Sequence, residues 1–219
     1  MTYHAVLFDL DGTLLDTLDD LGDSMNAVLA AHGYPTHPIA SFSEFVGDGV
    51  LNLVRRSLPP GPREMEAIVN ELVPLMRKEY SLRWKAKTHP YEGIPELLDG
   101  LVERGVRMAV LSNKPHPATV EVVAHFFPRW KFDATLGARP DVPIKPDAGA
   151  ALDVSRRLDI PPGEFLYMGD TNTDMQTARA AGMYAIGVLW GFRSAEELVS
   201  SGADRLITDP REVLSLLDS

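Results

Sequence analysis

The chain has 219 residues, 45% of them hydrophobic and 24% charged, enough to bury the core of one domain with a modest insertion. It contains no cysteine, which excludes a disulfide framework, a thiolate zinc site and a cysteine nucleophile and fits a cytoplasmic setting. The net charge of −10 disfavours nucleic acid as a partner, and no apolar run reaches the ~18–20 residues of a membrane span or has the layout of a signal peptide.

In chain order, "HAVLF" is branched and aromatic and predicts a buried strand ending at Asp9. After Asp16 the period changes. Leu18, Leu21, Met25, Val28 and Leu29 recur at helical spacing up to Gly33. "SFSEFVGDGVLNLVRRSL" follows, and then Met65, Ile68, Val69, Leu72, Leu75 and Met76 form a second helical stripe that Pro74 should kink or divide. From Pro90 the elements alternate. Strands are predicted at 106–112, 132–137, 164–170 and 185–190, with a weaker edge at 205–208. Helices are predicted between them at 95–104, 117–126, 147–157, 173–181, 195–201 and 211–217.

Strands apolar throughout, alternating with helices, indicate an α/β fold: a Rossmann-like parallel sheet with helices on both faces. The first strand belongs to that sheet. Residues 1–15 and 90–219 therefore form the expected core, and 16–89 an all-helical insertion.

Ligands of such sheets sit beyond the carboxyl ends of the strands. Here those ends carry Asp9 and Asp11 with Gly12 and Thr13, then Ser112, Asn113 and Lys114, then Asp170 with Asp174 four residues later. Lys145-Pro146 leads into a helix between the third and fourth strands. Carboxylates gathered in one crevice need positive charge to stay ionised. A hard divalent cation with oxygen ligands, Mg²⁺, supplies it, and Lys145 adds a fixed cation. Thr13, Ser112 and backbone N–H groups are candidate donors to phosphate oxygens. The set points to phosphoryl transfer, with an aspartate available as covalent nucleophile. The turn at Gly12 lets Asp9 and Asp11 face one crevice in different roles.

"DLDGT", "SNK", "KP" and "GDTNTD", in that order, resemble the haloacid dehalogenase superfamily of aspartate-nucleophile phosphatases across the whole chain. The resemblance implies that Asp9 is the nucleophile and Asp11 the general acid/base. It implies that Ser112 binds the phosphoryl group and that Lys145 steadies Asp9 and the phosphate; Asn113 and Thr13 are further candidates for phosphate contact, Thr13 alternatively a residue that orients the turn. Mg²⁺ would be held by Asp9, the Asp11 carbonyl and Asp170, with Asp174 as a further acidic partner. Residues 16–89 would be the family's cap. "VGDGV", "YEGIPELLDGL", "LSNKP" and "GVLWGFRSAEEL" are most similar to the phosphoglycolate phosphatase-like branch. An aspartate at position 11 speaks against a dehalogenase and threonine at position 13 against a β-phosphoglucomutase.

The expected substrate is a small phosphorylated metabolite, 2-phosphoglycolate first, hydrolysed by a monomer or homodimer. Pyrophosphate, sugar phosphates and nucleoside monophosphates are the nearest rivals. Two rivals of another class are a phospho-aspartate receiver, which the helical insertion disfavours, and a binding protein without turnover. An EF-hand fails on register, since Leu7 and Leu18 fall where acidic ligands belong. Neither a Walker A nor a GxSxG motif occurs. Trp190 and Phe192 are read as core packing, and Lys87, with the basic residues before it, as a solvated helix face.

Overall fold

The computed structural model describes residues 2–217. Strand β1 (Ala5–Phe8) has four apolar side chains and all are buried, as a strand covered on both faces requires. A two-residue strand, β2 (Leu15–Asp16), leads into helices α1 (Leu18–Ala31), α2 (Phe42–Phe45), α3 (Gly49–Ser57) and α4 (Glu66–Arg83). Strand β3 (His89–Pro90) follows. The alternating part then runs α5 (Ile94–Glu103), β4 (Arg107–Pro115), α6 (His116–Phe126), β5 (Ala134–Ala138) and α7 (Gly149–Leu158). It ends with β6 (Phe165–Gly169), α8 (Asn172–Ala181), β7 (Tyr184–Val188), α9 (Ala195–Ser200), β8 (Arg205–Ile207) and α10 (Glu212–Leu217).

Two compact units result, Met1–Leu15 with Pro90–Ser219 and Asp16–His89. The first is built on a six-stranded sheet of order β5-β4-β1-β6-β7-β8, parallel at every pairing. Numbered among themselves the strands run 3-2-1-4-5-6, so the winding direction reverses at β1. Alternate strand residues point to opposite faces. Leu7, Leu111, Leu136 and Tyr167 pack with Val154 of α7, Met175 of α8 and Leu198 of α9 in one apolar cluster. The intervening residues, among them Val6, Phe8, Val110 and Met168, are buried as well. Phe8 meets Phe132, which in turn meets Phe127, both edge-on. Gly100 of α5 lets α10 approach, because a Cβ there would overlap Leu214.

Within Asp16–His89, α1 and α3 both pack on α4. Leu21, Met25, Val28 and Leu29 of α1 are buried, as are Leu53 and Val54 of α3 and Val69, Leu72, Val73 and Met76 of α4. Pro74 lies inside α4, so of the two expected outcomes, a kink or a division, the division does not occur. The buried residues on both sides of it outweigh the one backbone hydrogen bond a proline forgoes. Met65 precedes α4 and is exposed instead of joining its stripe.

Two boundary differences bear on chemistry. Strand β4 runs three residues past its expected end, and its register with β5 shifts between Leu111 and Pro115. Ser112, Asn113 and Lys114 thus lie in an irregular stretch of strand, not in a loop after it. Helix α7 starts at Gly149, two residues late, because Asp147 turns back and its Oδ1 accepts from the Gly149 N–H at 2.7 Å.

Candidate active site

Because the sheet reverses its winding at β1, the connections leaving β1 and its neighbour β6 diverge and open a crevice. Asp9 follows β1, its N–H donating to Met168 O of β6 at 2.9 Å, and Asp170 follows β6. Asp174 occupies the first turn of α8. There its Oδ2 accepts from Thr171 N at 3.1 Å and Thr171 Oγ1 at 2.6 Å, a capping box that fixes the carboxylate. The Lys145 ammonium donates to Asp174 Oδ1 at 2.6 Å and to Asp9 Oδ1 at 2.7 Å. One carboxylate oxygen from each of Asp9, Asp170 and Asp174 lies within 4.8 Å of the other two.

Asp170, like Asp174, is fully buried, and its two oxygens have separate partners. Oδ1 accepts from the Thr13 hydroxyl and Oδ2 from the Phe192 N–H, each at 2.9 Å. Gly12, at φ +89°, and Gly191 close the space beside it, since a Cβ on either would collide with the Asp170 carboxylate. Trp190 is not a plain core residue: its indole N–H donates to Thr13 O at 3.0 Å, and its ring lies 6.5 Å from that of Tyr91.

The cluster sets three buried carboxylates against one ammonium. Burial, followed by the charge of Asp174, raises the Asp9 carboxyl well above its ordinary value despite Lys145. Burial and Asp174 push Asp170 up to about 7. Burial works against the Lys145 ammonium, yet the charges of Asp174 and Asp9 keep it well above the usual lysine value. This is an acid-rich, dry, oxygen-only donor set with unneutralised negative charge, and it suits a hard divalent cation. Thiolate and imidazole play no part in the set.

Asp11 stands outside that trio. Its Oδ2 pairs with Lys114 Nζ at 2.9 Å, both side chains being largely buried, while its Oδ1 is buried without a protein partner. A buried acceptor of this kind takes its hydrogen bond from outside the chain, from water, an ion or a ligand. Ser112 is buried on β4, where its Oγ accepts from Lys114 N at 3.1 Å. Asn113 is turned to the main chain of Lys145: Nδ2 donates to Lys145 O at 3.2 Å, and Oδ1 accepts from Lys145 N at 3.0 Å.

Of the residues singled out in the sequence, Asp9, Lys145, Asp170 and Asp174 are thus in one charge cluster. Thr13 is fully buried, and its hydroxyl donates to Asp170 Oδ1. Thr171 and Tyr167 escape sequence reasoning, and so does the partner of Lys114. Lys114 sits inside "SNK" but has no obvious partner until β4 and β1 are paired. Thr171 needs its capping geometry to be noticed. Tyr167 looks like one more apolar strand residue, yet its hydroxyl reaches Asp174 Oδ1 at 3.4 Å, and burial raises the phenol well above its ordinary value. The one available signal is a phenol placed three residues before a strand-end aspartate.

An acid cluster with a buried lysine at the switch point of a Rossmann-like sheet is the frame of an α/β phosphatase. The chain belongs to the haloacid dehalogenase-like hydrolase family, whose profile matches residues 6–188. It is 30% identical over 216 residues to the phosphoglycolate phosphatase of Nitrosospira multiformis, covering 97% of this chain and 95% of that protein. Identity to the phosphoglycolate phosphatase of Pseudomonas savastanoi pv. phaseolicola is 31% over 217 residues, or 95% of this chain and 78% of the other. A crystal structure from Lactobacillus delbrueckii subsp. bulgaricus, provisionally assigned as a phosphoglycolate phosphatase, superposes with a TM-score of 0.92. Sequence identity to it is 31%, and 99% of each chain is covered. The similarity therefore runs through the phosphoglycolate phosphatase-like branch. Among the described residues no helix is long and apolar enough to cross a membrane.

Proposed function

We propose that the protein is a Mg²⁺-dependent phosphomonoester hydrolase that works through an aspartyl-phosphate on a small metabolite phosphate, with 2-phosphoglycolate as the preferred substrate. The observation that carries this reading is the buried Asp9 carboxylate, ion-paired to Lys145 at 2.7 Å and followed two residues later by Asp11, whose Oδ1 has no protein partner. The names of the relatives support the choice of substrate.

In this reading an Asp9 oxygen attacks the phosphorus and the bond to the leaving alkoxide breaks. Asp11, as the general acid, gives a proton to that alkoxide through Oδ1. As a carboxylate, it then takes a proton from water, whose oxygen attacks the phosphorus and breaks the bond to Asp9. The products are an alcohol and inorganic phosphate, and both carboxyl groups return to their starting states. Lys114 holds the other oxygen of Asp11, which leaves Oδ1 as the atom that exchanges the proton. Lys145 orients Asp9 and offsets charge on the phosphoryl oxygens, and Ser112 donates to one of them. Bound Mg²⁺, held by Asp9, the Asp11 carbonyl and Asp170, with Asp174 nearby, would neutralise the negative charge that gathers as phosphate enters. Thr13 acts here by fixing Asp170. Residues 1–15 and 90–219 are the catalytic core and 16–89 the substrate-selecting cap.

The test is phosphate release with Mg²⁺ across phosphoglycolate, sugar phosphates, nucleoside monophosphates and pyrophosphate. Phosphoglycolate should give the highest kcat/KM, and Asp9→Asn should lower it on the order of 10³-fold or more. Unchanged release by Asp9→Asn would sink the aspartyl-phosphate, and a different leading substrate would replace the specificity assignment alone.

A further inference from the structure

Lys145 has to present its ammonium to Asp9 from a stretch of chain that has no regular structure, the connection 139–148 between β5 and α7. The residue is nonetheless almost fully buried, so its main-chain N–H and C=O need partners. The other main-chain bonds described within the connection, Val142 N to Arg139 O and Asp147 N to Ile144 O, close local turns and tie nothing to the sheet. Asn113 supplies the tie. Its amide accepts from Lys145 N at 3.0 Å and donates to Lys145 O at 3.2 Å, imitating a neighbouring strand. Turning the amide over would set N–H against N–H and oxygen against oxygen, so the pair of bonds also fixes its orientation. Holding both polar groups of one residue restrains the backbone on either side of its Cα, and with it the direction of the side chain. Asn113 belongs to β4, which pairs with β1, the strand that delivers Asp9.

We propose that Asn113 is a positioning residue that fixes the main chain of Lys145 and so aims its ammonium at Asp9, instead of contacting the phosphoryl group itself. This role deepens the proposed function and rests on it for the part played by Lys145.

The experiment is a double-mutant cycle on phosphate release with Mg²⁺, joined to calorimetric titration of inorganic phosphate. Asn113→Ala should lower kcat on the order of 10²-fold, the size expected when a reacting group is misplaced by about 1 Å, with KM little changed. In a Lys145→Ala background the same substitution should cause no further loss and leave phosphate affinity as it was. Asn113→Asp keeps the acceptor for the Lys145 N–H but lacks the donor to its carbonyl, so it should fall between, and it serves if the alanine variant does not fold. Wild-type kcat in Asn113→Ala, losses that multiply in the double variant, or weaker phosphate binding on the Lys145→Ala background would each overturn the clamp. A wild type that releases no phosphate would instead overturn the proposed function, while the phosphate titrations still report on Asn113.

Discussion

Two buried carboxylate sites in this molecule have opposite characters. Asp20, in the helical unit, is 1% exposed and accepts from Lys87 N, Thr88 N at 2.9 Å and Thr88 Oγ1 at 2.8 Å. Those donors lie 67 and 68 residues away in sequence, so this single side chain joins the two ends of the unit. At the strand ends, Asp9, Asp170 and Asp174 crowd together around Lys145. A carboxylate surrounded by neutral donors is satisfied and serves the fold. Carboxylates that repel one another are held in place by the fold, and their unmet charge is available to a ligand.

The contrast is sharpest in its dependence on pH. In the metal-free protein Asp170 has its pKa raised from 3.8 to about 7, and that of Asp9 is raised as well. The folded state then binds more protons than the unfolded state between those values, so stability falls as pH climbs from about 4 to about 7. Mg²⁺ should reverse the trend, because it binds the deprotonated groups. Urea melts at pH 4.5, 6 and 7.5, in EDTA and in MgCl₂, check this; an EDTA series that gains stability with pH contradicts it.

Asp20→Ala probes the other site. It strands three donors and should lower stability by about 3 kcal/mol, equivalent to about 6–12 °C in Tm. Phosphate release per folded molecule, measured well below Tm, should change far less. A large loss of kcat with Tm unmoved would erase the distinction between the two sites. Thr13→Val gives the smallest effect: without the hydroxyl donor to Asp170, the Mg²⁺ concentration for half-maximal activity should rise about tenfold. A raised substrate KM with unchanged Mg²⁺ dependence would return Thr13 to the phosphate.

The sheet and its helices were legible in the sequence because each strand is a short apolar run and each helix an apolar stripe. Asp9 and Asp170 were legible because a charged residue at the end of an apolar strand stands out, and Lys145 because it stands before Pro146 at the entry to a helix. Thr13 and Asn113 were placed by residue type, and type does not say which way a polar side chain turns. Both turn toward the protein, Thr13 to Asp170 and Asn113 to the Lys145 backbone. Asp20 was invisible for a different reason. It lies among Asp19, Asp23 and other polar residues at a helix start, and only the folded chain brings Thr88 to it.

Gly12 and Gly191 have a consequence for how this site can vary. The walls they form beside Asp170 are main chain, with no side chain left to shorten, and any Cβ added there meets the carboxylate. A library randomised at these two codons should therefore return glycine at both under selection for activity. New specificities would have to arise at positions that still carry a side chain to exchange.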